Sequence, residues 1–63
     1  MNKINYAEAS LEQVVKHFET IGASAMSHAI ERSEGNPEVH VKLLKAKLLA
    51  KMAKLQSEFE ALG

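Results

Sequence analysis

Sixty-three residues without a cysteine allow one domain, and exclude disulfides and thiolate metal sites as staples for a small core. Eight basic side chains balance eight acidic ones at a pI near 6.8, which speaks against a protein that works by uniform charge on nucleic acid or an anionic membrane. The balance hides a division, because residues 1–38 carry three basic and six acidic side chains and residues 39–63 carry five and two, or −3 against +3.

Met1-Asn2-Lys3-Ile4-Asn5 is not followed by the apolar stretch of a signal peptide, and no apolar run is long enough to span a bilayer. The expectation is a cytoplasmic protein with no membrane partner. Met1 to Lys3 precede every helix signal and are expected to fray. Two start signals then compete. Asn5-Tyr6-Ala7-Glu8 carries the N-cap and N3 acid of a capping box, and Ser10-Leu11-Glu12-Gln13 carries the same pattern with Gln. A first helix therefore begins near Tyr6 or near Leu11.

Ile4, Ala7, Leu11, Val14, Phe18, Ile21 and Ala25 alternate steps of three and four, and Val15, Gly22, Met26 and Ala29 widen the stripe. The spacing predicts one helix over about 6–34. Gly22 falls inside it, at a cost of about 1 kcal/mol relative to Ala. Two readings fit: close packing over a small-residue patch, or a kink at Gly22.

Ser33-Glu34-Gly35-Asn36-Pro37-Glu38 is the strong break. Gly35 suits the left-handed residue that ends a helix, Asn36 suits an N-cap, and Pro37 suits N1. The turn at 35–36 sends the chain back into a second helix over about 37–62. That helix carries two apolar stripes: Val41, Leu44, Leu48, Met52, Leu55, Phe59 and Leu62 on one side, and Leu43, Ala46, Leu49, Ala50 and Ala53 on another. Folding at Gly35-Asn36 pairs residues whose numbers sum to about 71, so Gly22 is expected to meet Leu48, Phe18 to meet Met52, Leu11 to meet Phe59 and Ala7 to meet Leu62. This register assigns the first stripe to the seam within the chain. The second stripe, Leu43, Ala46, Leu49, Ala50 and Ala53, becomes the expected oligomer interface, because a helix apolar on two sides must be covered on two sides. The fold class that follows is all-α: an antiparallel two-helix hairpin forming one domain over 1–63 and assembling into a four-helix bundle or larger homo-oligomer. A lone hairpin of this size cannot offset an ordering cost of about 95 kcal/mol.

Lys42, Lys45, Lys47, Lys51 and Lys54 fall in thirteen residues with no acid between Val39 and Ser57. Lys47, Lys51 and Lys54 share one side and are candidate phosphate contacts. Arginines and interleaved aromatics are missing there, and Glu58 joins the same side, which favours a solvated face. His17, His28 and His40 lack the three- or four-residue spacing of a helical metal pair, and no metal site is expected. Tyr6, Gln13, His17, Ser24, His28 and Glu31 share an edge of the first helix beside its apolar stripe, a candidate flank for a partner or a small polar ligand. No nucleophile motif, phosphate loop or dinucleotide pattern is present, so neither catalysis nor a cofactor is expected.

Two paired helices of about this size resemble plasmid-type RNA-binding hairpin dimers and type III secretion needle subunits and their small co-chaperones, and the Asn36-Pro37 turn resembles the needle-type turn. The resemblance is architectural, and no residue role carries over from it. The leading expectation is a non-enzymatic, self-associating helical interaction protein that binds another protein, as a bacterial or phage accessory factor, adaptor or inhibitor does. A nucleic-acid-binding hairpin dimer using the lysines, an oligomer holding a small polar ligand between chains, and a needle-like subunit or co-chaperone are the alternatives.

Overall fold

The computed structural model describes residues 4–63, and every regular element among them is helical. Three α-helices follow in order: α1 at Leu11–Thr20, α2 at Ala23–Arg32 and α3 at Pro37–Ala61, with a 3-10 turn at Ser33–Gly35 joining the last two. Met1 to Lys3, where fraying is expected, lie outside the described residues.

Both N-terminal start signals operate, on different scales. Asn5 accepts from the Ala7 amide through its side chain at 3.0 Å, and from the Glu8 and Ala9 amides through its carbonyl at 3.1 and 2.8 Å. That makes one turn and no more. Ser10 closes the full capping box: its hydroxyl accepts from the Gln13 amide at 3.2 Å and its amide donates to Gln13 Oε1 at 2.9 Å. The helix proper starts at Leu11 behind it.

The single helix expected over about 6–34 is interrupted at Ile21-Gly22. Both residues are extended, with ψ of 162° at each. Thr20 and Ile21 are β-branched and Gly22 is a poor helix former, so three weak residues fall in a row. The Thr20 hydroxyl and the Ile21 amide both donate to the His17 carbonyl, at 2.8 and 3.2 Å, and close α1. Gly22 then serves as N-cap of α2, accepting from the Met26 amide at 3.1 Å, without a side chain to cap with. The heptad spacing runs on through this point, which is why periodicity alone reads as one helix.

The interruption reverses the chain. The turn at the N-terminus lies beside the start of α3, where Lys42 Nζ reaches the Tyr6 and Ala9 carbonyls. At the other end of α1, Phe18 and Ile21 share a groove with Ala50 and Lys54. α1 therefore runs alongside α3 in the same direction, and α2 returns antiparallel to both, bringing Ile30 and Ser33 to His40. The expected pairing about a sum of 71 does not form. Ala7 sits by Lys42 and not by Leu62, and a Cβ placed on Gly22 meets nothing within 4 Å, Leu48 included.

This topology exchanges the two faces of α3. Val14, Phe18, Leu43, Ala46 and Ala50 form the buried core, with Leu11, Val15, Met26, Ile30 and others packed around it. Of the residues expected at an oligomer interface, Leu43, Ala46 and Ala50 thus lie inside the chain, while Leu49 and Ala53 remain exposed beside them. Alanines at 46 and 50 let two helices approach α3 closely enough for Phe18 and Val14 to fill the space between. The 3-10 turn also departs from expectation. Gly35 is not left-handed; the only positive φ among the described glycines is at Gly63. Asn36 closes the turn by donating its amide to the Ser33 carbonyl at 2.9 Å, and its side chain caps the Val39 amide at 3.5 Å, with Pro37 at N1.

The helix interruption fixes an order of stabilities. At an N-cap, Asp exceeds Ala by about 1 kcal/mol, whereas inside a continuous helix Ala exceeds Asp. Gly22→Asp should therefore be more stable than Gly22→Ala in urea unfolding; the reverse order would mean that α1 and α2 form one helix.

Candidate interaction surface

α3 sets the longest dimension of the molecule, 42 Å. Its core face ends early, because every residue from Lys51 to Gly63 is exposed. The reversal at Gly22 is the cause. The segment that a continuous first helix would have laid along the end of α3 is folded back beside its start.

Val41, Leu44, Leu48, Met52, Leu55, Phe59 and Leu62 form an outward stripe, rising in exposure to 77% at Phe59 and 88% at Leu62. At about 100° per residue these side chains fall within roughly 80° of arc, centred about 170° from the core face. The stripe is continuous over about 32 Å at 1.5 Å per residue. Lys45, Gln56 and Leu49 border it on one side, and Lys51 with Lys47 and Glu58 borders it on the other. Its exposed area is on the order of 800 Å², half of a standard-sized interface and more than the largest apolar patch of an ordinary monomer.

The fold disperses the polar flank. Tyr6, His17 and His28 line one open groove of about 660 Å³ with Arg32 and Asn36. Gln13 is engaged in the capping box, and Ser24 and Glu31 are exposed away from that groove. Tyr6 and His17 meet edge to face at 5.9 Å, and Tyr6 also tilts against Phe18 at 5.9 Å, so the tyrosine seals the core end of the groove. Burial pushes the Tyr6 phenol above its ordinary value of 10.0. Lys47, Lys51 and Lys54 do share a second groove, of about 700 Å³ beside Phe18, Ile21 and Met26, but Glu19 and Glu58 line it too. It is not a uniformly cationic track. Among the described residues no group of three or more His, Asp or Glu is placed to hold a metal ion, and no helix is long and apolar enough to cross a membrane.

Two polar contacts hold the face in place. The ammonium of Lys42 donates to the carbonyls of Tyr6, Ala7 and Ala9 at 2.9, 3.3 and 2.8 Å. These are the unpaired acceptors of the N-terminal turn, and a cation at the carbonyl end of a helical turn also complements its dipole. At the other junction, the hydroxyl of Ser33, 7% exposed, donates to the Ile30 carbonyl at 2.7 Å. His40 Nδ1 lies 3.0 Å from that hydroxyl and 3.2 Å from the same carbonyl. A carbonyl only accepts, so the 3.2 Å contact is a hydrogen bond when Nδ1 carries a hydrogen. Sequence reading groups Lys42 with the solvated lysines and His40 with the others; pairs separated by 33 to 36 residues leave no local signal.

No family model, curated protein or solved structure matches the chain.

Removing the Lys42 ammonium leaves three carbonyls without their donor. Lys42→Met should cost about 1.5–3 kcal/mol, the range for hydrogen bonds to a charged group, and should speed amide exchange at Glu8 and Ala9. Unchanged exchange there would mean that the turn is held by its apolar contacts alone.

The raised Tyr6 value carries a pH dependence of definite sign. Above pH 10.0 the unfolded chain releases the phenol proton before the folded chain does, so the contribution is full below that pH and lost as pH rises through the folded value. Tyr6→Phe should flatten the alkaline decline in stability relative to wild type; parallel curves would contradict burial of the phenol.

Proposed function

We propose that the protein is a non-enzymatic helical interaction protein whose working surface is the outward stripe of α3, and that it associates with copies of itself through that stripe. The single observation that carries the reading is the stripe's position. It lies diametrically across α3 from the chain's own core and continues past the last core residue, Ala50, to Leu62. Nothing in the chain's own packing accounts for Leu55, Phe59 or Leu62. Surface helices of small domains are otherwise polar on the solvent side. A helix apolar on opposite sides is stable in water when something covers the second side, and another helix is the occupant whose dimensions match a straight stripe about 32 Å long.

Assembly in this reading is a bundle built on α3 from each copy, with α1 and α2 on its outside. It acts by binding, and needs no cofactor or metal. The lysines bordering the stripe contribute by laying their aliphatic stems along it.

Leu55 lies beyond the chain's own core, so a substitution there tests association without removing a core contact. Leu55→Glu should convert an associating wild type into a monomer in sedimentation, shifting half-association upward by at least about tenfold, the equivalent of 1.4 kcal/mol. A wild type that is already monomeric at high micromolar concentration would remove the reading.

A further inference from the structure

We infer that the occupant of the α3 stripe is a second copy of α3 running antiparallel about a two-fold axis near Met52. This rests on the reading of the stripe as a self-associating face, and adds partner orientation, register and ion pairs.

The register comes from the stripe itself. Antiparallel helices pair residues whose numbers have a constant sum. At a sum of 103, Val41 meets the partner's Leu62, Leu44 meets the partner's Phe59 and Leu48 meets the partner's Leu55, and the axis passes between Lys51 and Met52, so the two Met52 residues lie about 1.5 Å apart along it. Each apolar residue finds an apolar residue, so the patch is self-complementary, as a two-fold interface requires.

Charge decides the direction. Lys42, Lys45, Lys47, Lys51 and Lys54 all precede the last two turns of α3, and its only acids after Glu38 are Glu58 and Glu60 near the end. A parallel, in-register pair would set lysine beside lysine and glutamate beside glutamate along its length. The antiparallel pair brings Lys45 opposite the partner's Glu60 and Lys47 opposite the partner's Glu58, each at a sum of 105 and each twice by symmetry. Lys51 faces its own copy near the axis and the partner's Lys54 at the same sum of 105, three like-charge approaches against four favourable ones, whereas the parallel pair offers like-charge approaches alone. Rim pairs such as these select orientation more than they add affinity.

The shape of the protomer points the same way. Every residue of 51–63 is exposed, and the groove shared with α1 and α2 ends at Glu58, whereas the first part of α3 is backed by both helices. Antiparallel pairing lays each unbacked end along the backed start of the partner's helix. Parallel pairing would leave two unbacked ends together.

The chain has no cysteine, which permits a clean cross-linking test. Three variants are used under mild oxidation: Met52→Cys, Leu44→Cys and Phe59→Cys. The antiparallel register predicts that Met52→Cys joins to itself, that neither Leu44→Cys nor Phe59→Cys does so alone, and that the two mixed together join to each other. In this register two copies of residue 44 lie about 22 Å apart along the axis, beyond disulfide reach. If Met52→Cys and Leu44→Cys both join to themselves, the stripe associates but the helices are parallel, and the inference falls while the reading beneath it stands. If the wild type sediments as a monomer and Met52→Cys stays unjoined, both fall. A monomer that instead floats with vesicles of anionic lipid overturns both in favour of a membrane surface as the occupant.

Discussion

The interruption of the first helical segment at Ile21-Gly22 governs everything downstream. Two extended residues between α1 and α2 convert one long helix into two short ones that lie back to back along the start of α3. A continuous helix would have covered α3 from end to end with a single layer. Two short helices cover half of its length with a double layer. The double layer is what buries Val14, Phe18, Leu43 and Ala46 almost completely in so short a chain, because a core residue needs neighbours on several sides. The same reversal leaves every residue of α3 after Ala50 exposed.

The choice of which α3 face turns inward follows from size. Three helices meeting at one place need at least one helix to present small side chains, so that the axes approach and the larger residues of the others fill the gap. Ala46 and Ala50 provide that face, with Leu43 above them, and Phe18 reaches in from α1. The leucine-rich stripe would have held α1 and α2 farther away and left no place for both. Polar contacts then fix the arrangement at its two weakest junctions. Lys42 ties the N-terminal turn to α3, and the Ser33–His40 pair ties the end of α2 to the start of α3. Each supplies a donor where a helical turn ends in free carbonyls.

Much of this was legible from the residues in chain order, and the rest was not, for definable reasons. The start of α3 follows from Asn36-Pro37, and the start of α1 from Ser10 and Gln13, because caps are local chemistry within four residues. That α3 is apolar on two sides is equally plain. Which side turns inward does not follow from the pattern, because the register depends on whether α1 and α2 are continuous. Thr20-Ile21-Gly22 carried that information as weak propensity, while Phe18, Ile21 and Ala25 carried a strong periodic signal across it. Periodicity reports which residues share a face; it does not report whether the chain reverses between them. The flank read from a continuous helix was scattered for the same reason, so that Tyr6, His17 and His28 share a groove while Ser24 and Glu31 do not. The contacts of Lys42 had no sequence signature, since they join residues brought together only by the reversal.

The charge division of the chain acquires a physical meaning in this topology. α1, with Glu12 and Glu19 against one lysine, packs beside the lysine-rich part of α3, so Glu19 stands in the same groove as Lys47, Lys51 and Lys54. Glu58 lines the far end of that groove too, and Glu60 stands outside it, near the end of α3. Carboxylates on a helix C-terminus are unfavourable with respect to its dipole, by roughly 0.3–1 kcal/mol each at an exposed position. Their placement there becomes coherent when the end of one α3 lies along the lysine-bordered start of another. A cationic neighbour then offsets the dipole. In the proposed dimer the unfavourable position at the helix end and the excess of lysines ahead of it become two halves of one electrostatic arrangement.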